Sequence, residues 1–225
     1  MCGRFTRTNS LEEILQEFEI AEVACDLGPS YNVAPTQPIA VIAEEGGVRR
    51  LVTLRWGLIP SWAKDASIGT KLINARAETL SQKPSFRQAF KKRRCLIVAD
   101  GFFEWQKRGA TKVPLYIRLQ SGRPFGFAGL YEYWTPPGGQ PVGTCAIITT
   151  EANDRMRPIH HRMPVILPRE HHALWLNPAV EGEALLLSLL EPFVDVDMET
   201  YEVSRLVNSL KNNSPTCIAP TPHVI

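Results

Sequence analysis

The chain has 225 residues, 44% apolar and 21% charged, with a formal net charge of +2, proportions of a folded globular protein rather than a disordered one. No apolar run approaches the ~18 residues of a membrane span, and the first residues lack the basic-then-apolar pattern of a secretory signal, so a cytoplasmic protein without membrane association is expected. The charge is uneven, +5 over residues 1–112 and −3 over 113–225, and the five cysteines (2, 25, 95, 145, 217) include no CxxC pair, which argues against a disulfide framework or structural zinc.

The first element is the terminus itself. MCGRFT places Cys2 directly behind the initiator methionine, and removal of Met1 would give a residue with an α-amine and a thiol on neighbouring carbons. SLEEILQEF (10–18) predicts a short helix: Ser10 and Glu13 have capping-box spacing, and Leu11, Ile14, Leu15 and Phe18 recur on one face. IAVIAEE and VRRLVTLRWG flank Gly46-Gly47 as a hairpin would. A helix is expected near 84–93, where RQAFKKRR (87–94) packs five cations into eight residues, a run that more often makes a solvated helix face than a phosphate patch.

CLIVADGFFEW, PLYIRL, FGFAGLYEYW, TCAIITT, MPVILP and METYEVS read as strands, and Cys95 and Cys145, inside apolar runs, as inert buried thiols. REHHALWLN (169–177) and EGEALLLSLL (181–190) read as helices. Strands and helices do not alternate in βαβ order and no phosphate-loop motif occurs. The expectation is one α+β domain over residues 1–225, with a strongly bent, barrel-like antiparallel sheet and peripheral helices.

Seven segments carry polar residues that a merely structural chain would not require: MCGRF (1–5), YNVAP (31–35), RWGLIPSW (55–62), INARAE (73–78), ADGFFEW (99–105), IHHRMP (159–164) and VSRLVN (203–208). Together, in order and spacing, they closely resemble the SOS response-associated peptidase (SRAP) family of abasic-site processing proteins, which cross-link to damaged single-stranded DNA. The resemblance implies that fold, a partner in abasic single-stranded DNA at replication forks, a monomer, and no cofactor or metal. It also implies that Cys2, Asn74, Glu104 and His160 are catalytic, and that Asn32, Pro35, Trp62 and Thr149 lie near the DNA.

The residues support that chemistry on their own terms. An α-amine has a reference pKa near ~7.7–8.0 against ~10.4 for lysine, so its neutral fraction at pH 7 is about two orders of magnitude larger, and it is the better imine former with a sugar aldehyde. The Cys2 thiol can then close a five-membered thiazolidine. Alternation in GFFEW sets Glu104 beside Phe102, where desolvation would raise its pKa towards proton transfer at neutral pH. His160 fits the family's isoleucine-histidine-x-arginine pattern and could protonate the ring oxygen of the sugar. On an extended segment His160 and His161 would point to opposite sides, and only one would face the site. The Asn74 amide could hold the opened sugar. Arg4, Arg76 and Arg162 each lie two residues past a candidate catalytic residue, on its side of an extended segment, as a phosphate cradle would require. Trp56 and Trp105 read as core and Trp62 as a stacking surface.

The resemblance implies associated lyase and cross-link-reversal activity. Two other functions fit the same residues: a cysteine peptidase using Cys2, His160 and Glu104 or Asn74, in its narrow form removing Met1 from its own chain, and a non-enzymatic reader of modified bases.

Overall fold

The N-terminal segment forms a three-residue strand, β1 (Phe5–Arg7), and turns at once into helix α1 (Leu11–Phe18). The computed structural model describes residues 2–26 and 28–221; Met1, whose removal the sequence leads one to expect, lies outside the described residues. Helix α1 begins as its spacing predicts. Ser10 Oγ accepts from the Glu13 N–H at 3.2 Å and Glu13 Oε2 accepts from the Ser10 N–H at 2.8 Å, a reciprocal cap that satisfies two otherwise orphaned donors. Ile14 and Phe18 form its buried stripe.

Strands β2 (Glu22–Ala24), β3 (Ser30–Val33), β4 (Pro38–Glu45) and β5 (Val48–Trp56) follow. The β4–β5 hairpin turns through Gly46 and Gly47, at φ of 61° and 78°, left-handed values that glycine adopts without a Cβ clash. Then come β6 (Asn74–Arg76), α2 (Arg87–Lys92), β7 (Arg94–Ala99), β8 (Gly101–Arg108), β9 (Thr111–Leu119), β10 (Phe125–Trp134) and β11 (Val142–Glu151). The chain finishes with β12 (Arg162–Pro164), β13 (Ile166–Leu167), α3 (His172–Leu176), α4 (Glu183–Ser188) and β14 (Met198–Glu202), the last followed by short 3-10 turns.

Two sheets result. The smaller runs β14-β9-β8-β1-β3; the larger runs β12-β11-β10-β7-β4-β5-β2, with β13 beside β10 and β6 beside β11. Strand β11 also meets β5 in parallel, Thr144 opposite Arg55 and Cys145 opposite Trp56, so the larger sheet curls until it touches itself. The expected bent, barrel-like α+β architecture is what forms. Most pairings are antiparallel; the exceptions are β2 and β11, which both run parallel to β5, and β6, which runs parallel to β11. These pairings involve long returns of the chain, and alternation of apolar residues carries no signal of strand direction.

Each face of the larger sheet has its own core. One face, with Ile42, Leu96, Val98, Ala128 and Ile148, is covered by α1, α2, α3 and α4 through Phe18, Phe90, Trp175 and Leu186. The other, with Val41, Ile97, Phe127 and Ile147, packs against the smaller sheet through Phe5, Phe102 and Ile117 and takes in Cys2. The alternation of β4, β7 and β10 divides their side chains between the two.

The basic run 87–94 belongs to the architecture. Helix α2 uses Ala89 and Phe90 for packing, Lys92 pairs with Glu181 at 2.6 Å and Arg93 with Glu132 at 2.6 Å. Arg94, 2% exposed, donates to the carbonyls of Phe90, Lys91, Trp175, Asn177 and Val180. One guanidinium thus ties the end of α2 to the end of α3.

Candidate active site

The site is assembled on the smaller sheet where β1 meets β8. Phe5 lies opposite Phe102 and Thr6 opposite Gly101, and the Phe103 N–H donates to Arg4 O at 3.0 Å. Continuing that register brings Gly3 across from Glu104, so the residues just before β1 run along the middle of β8. Asn74, at the start of β6, reaches in from the larger sheet: its Nδ2 donates to Cys2 O at 2.8 Å. Its Oδ1 is buried with no hydrogen-bond partner among the described residues. Three strands from two sheets therefore meet at residue 2.

Burial tunes these groups. Cys2 is fully buried; burial first, and then the negative charge of Glu104, push its thiol well above the ordinary cysteine value. Glu104 is 4% exposed, and burial raises its carboxyl above the usual carboxylate range. A carboxyl held there can take and return protons closer to neutrality than a solvated one. The Cys2 side-chain sulfur faces Arg4 O at 3.9 Å, a weak contact that leaves the thiol protonated.

His160 enters from the turn between β11 and β12. Its N–H donates to Met156 O at 2.9 Å, and Met156 and Ile159 of the same turn pack into the core that holds Cys2. His160 Nδ1 lies 3.0 Å from the Arg162 main-chain nitrogen and 3.1 Å from the Arg162 carbonyl oxygen, so the main chain of Arg162 fixes the orientation of the ring. Burial, and less strongly the charges of His161 and Arg162, hold the imidazole below its ordinary pKa. The expectation that the two histidines point apart is corrected. The segment leaves a turn over 154–159 and bends at His161 rather than running extended, and the two rings stack with centroids 4.4 Å apart and planes 24° from parallel. Both imidazoles therefore face the same side.

The three arginines have different tasks. Arg76 is exposed; together with Arg157, His161, Arg162 and Glu151 it lines an open cavity of about 390 Å³. Arg162 is 7% exposed and its guanidinium makes a two-pronged pair with Glu78, at 2.6 and 3.0 Å, and donates to Thr149 O at 2.5 Å. Burial works against the Glu78 charge, but hydrogen bonds from Arg162 outweigh it and lower its pKa. Arg4 donates to Asn32 Oδ1 at 2.8 Å and to Val207 O at 2.7 Å, with its guanidinium 6.0 Å from the Trp105 ring.

The remaining candidates divide in the same way. Asn32 is buried, and its Nδ2 donates to the carbonyls of Val207, Ser209 and Asn212 at 2.8–3.2 Å, so with Arg4 it holds the VSRLVN segment. Trp105 is half-buried and donates to Asn208 Oδ1 at 2.8 Å; Trp56 is fully buried. Thr149 is buried on β11 beside Arg76. Trp62 is 58% exposed, on a loop anchored by Trp134 Nε1 to Ala63 O at 2.7 Å. Pro35 precedes Thr36, whose φ of 74° is a left-handed value unusual for a β-branched residue, held by its N–H on Trp56 O at 2.7 Å. No local pattern singles out Thr36, Glu78 or Asp100. Glu78 is the last residue of INARAE and Asp100 stands in ADGFFEW, so the motifs held two of the three, but their partners are distant in sequence. Among the described residues no three His, Cys, Asp or Glu side chains converge as metal ligands would.

Fold and site define a class: a curled α+β protein whose polar groups converge on its second residue. The chain belongs to the SOS response associated peptidase (SRAP) family, whose model matches residues 1–210. It is 53% identical to the abasic site processing protein YoqW of Bacillus subtilis over 97% of this chain and 99% of that one. The chicken abasic site processing protein HMCES is 33% identical over 85% of this chain and 66% of its own length. A crystal structure of a protein from Bacteroides thetaiotaomicron superposes with a TM-score of 0.89 at 30% identity, covering 98% of this chain and all of the other.

Proposed function

We propose that the protein processes abasic sites in single-stranded DNA by covalent capture at Cys2 once Met1 has been removed. The names of the relatives support abasic-site processing. The observation that carries the covalent reading is the convergence of Asn74 and Glu104 on residue 2, with a carbonyl held at 2.8 Å and a thiol under the influence of a raised carboxyl.

Burial raises the pKa of the thiol, which supports a first step taken by the α-amine. It adds to the open-chain aldehyde, and loss of water gives the imine. The Cys2 sulfur then adds to the imine carbon while its proton passes, by way of Glu104, to the imine nitrogen. The products are a thiazolidine and one water. Ring closure benefits from an effective molarity on the order of 10⁵ M or more. His160 assists opening of the sugar and, in reverse, release of the adduct; an imine that does not close leaves strand cleavage as a side route. Arg76 supplies phosphate contact and Trp62, with Pro35, a surface for bases, whereas Arg4, Asn32, Thr149 and Arg162 shape the groove from behind.

The family's peptidase designation gives a second use of Cys2. The Asn74 amide donates to the carbonyl of Cys2, so in either use it orients residue 2.

The test is to incubate the protein, with its terminus verified by intact mass, with a single-stranded abasic oligonucleotide and no reductant. A heat-stable shifted band is expected, of mass equal to the sum less one water. Cys2→Ala should abolish it, and a band that survives the substitution removes Cys2 as the nucleophile. Cleavage of a generic peptide by wild type but not Cys2→Ala would favour the peptidase.

A further inference from the structure

We infer that Asp100 is a positioning residue that pins the register between the strand leading to Cys2 and the strand carrying Glu104. It occupies the corner between β7 and β8 and is 6% exposed. Its Oδ2 accepts from the Thr8 N–H, the Thr8 hydroxyl at 2.7 Å and the Asn9 N–H at 3.0 Å, and its Oδ1 accepts from the Thr6 hydroxyl. Its own N–H donates to Thr6 O at 3.0 Å. With the Thr6 proton directed to Asp100, the Tyr116 hydroxyl, 2.7 Å away, is the donor to Thr6 Oγ1. Gly101 makes room for that tyrosine, since a Cβ there would lie 2.1 Å from the Tyr116 oxygen.

This concentration of bonds answers a weakness in the ladder. Strand β1 has three residues, only two of its positions are in register with β8, and its pairing with β3 is irregular between Phe5 and Arg7. So short a ladder specifies its register weakly, and a slip of one residue would turn the wrong side chain to the site. Thr6 lies four residues after Cys2, and Asp100 four residues before Glu104. The pin is therefore at one end of the paired segments and the reacting groups are at the other. Charge-assisted bonds to backbone N–H groups are the strong, directional kind that fix such a register.

The adduct arm of the experiment rests on the function proposed above; the alkylation arm does not. Asp100→Ala and Asp100→Asn are compared with Ile14→Ala, a truncation on the helix-covered face, under conditions where all three chains are folded and equally destabilised. Cys2 alkylation by iodoacetamide is followed by mass spectrometry of the N-terminal peptide. Asp100→Ala should raise it by about tenfold or more, because local opening exposes the thiol, while Ile14→Ala leaves it at the wild-type rate. At saturating abasic oligonucleotide, adduct formation by Asp100→Ala should fall by about 100-fold, the scale of an ångström-sized misplacement, with affinity for a non-reactive abasic analogue nearly unchanged. Asp100→Asn, which keeps one acceptor oxygen, should fall between. Alkylation and adduct rates that follow the Ile14→Ala control would overturn the assignment. Should the wild type form no adduct while Asp100→Ala still frees the thiol, the pin stands and the proposed function falls.

Discussion

The two faces of the larger sheet bury polar groups in opposite ways. On the helix-covered face, Arg94 has all five N–H groups on backbone carbonyls, and His172, 3% exposed, lies with its Nε2 3.1 Å from Leu167 O and its ring stacked 5.3 Å from Phe18. On the other face, Asn74 keeps a buried oxygen without a hydrogen-bond partner among the described residues, and Glu104 is held above its usual pKa. An unmade bond at a buried polar group costs ~1–3 kcal/mol. Buried atoms without a hydrogen-bond partner among the described residues also occur in the framework, at Arg93 and Thr200; what sets Asn74 apart is that its free oxygen lies on a side chain already bonded to residue 2.

Glu104→Gln tests this contrast most severely. It keeps size and hydrogen bonding but removes the proton carrier, so adduct formation should fall by about 10²–10⁴-fold, the usual contribution of general acid–base catalysis. Stability should move the other way. A carboxyl whose folded pKa is raised binds its proton more tightly in the native state, so its contribution is lost as pH rises through the folded value. The variant should therefore melt at or above the wild-type temperature at pH 8, with the gain shrinking towards pH 4. A Glu104→Gln protein that is both fully reactive and less stable would put Glu104 among the architectural residues.

The two faces also differ in how far the sequence disclosed them. The capping box of α1, the Gly46-Gly47 hairpin and the apolar strands β7, β10 and β11 follow from local rules, because each is stabilised mainly by neighbours in sequence or by a simple alternation. Strand β1 is not visible in that way. It is three residues long, and its Thr6 and Arg7 are buried polar residues whose placement depends on partners such as Asp100, more than ninety residues on. Strand β6 is hidden for the same reason: Asn74 and Arg76 gain their extended form from parallel pairing with β11. The motifs contain the candidate residues but do not disclose their supports. Nothing local shows that Arg162 would pair with Glu78 or that the two imidazoles would stack.

The helix-covered face carries the opposite pH signature, through His172. Burial lowers its pKa from 6.5 to about 4, so the native state excludes a proton that the unfolded chain accepts. Its contribution to stability is present above pH 6.5 and is lost as pH falls towards 4. Linkage gives a loss of about 2 kcal/mol between pH 7.5 and 5. Denaturant unfolding should show that loss in wild type and not in His172→Gln, once exposed carboxylates common to both are subtracted. Equal acid sensitivity of the two chains would mean that the buried imidazole is not what ties this face to neutral pH.

The smallest effect sharpens the comparison within the site itself, where Arg76 is exposed and Arg162 is spent on Glu78 and Thr149. Removing one phosphate contact from a single-strand complex should make the dependence of log affinity on log salt shallower by about 0.7. Arg76→Gln should do this, with a several-fold loss of affinity for a non-reactive abasic oligonucleotide at low salt. Arg162→Gln should leave the salt slope at its wild-type value and instead lower thermal stability and the adduct rate, because its main chain holds His160 Nδ1 and its side chain anchors that strand. If Arg162→Gln flattened the salt dependence as Arg76→Gln does, its guanidinium would have to leave Glu78 for a phosphate when DNA binds. The cradle would then contain both arginines, and burial in the free protein would cease to separate supporting residues from contacting ones.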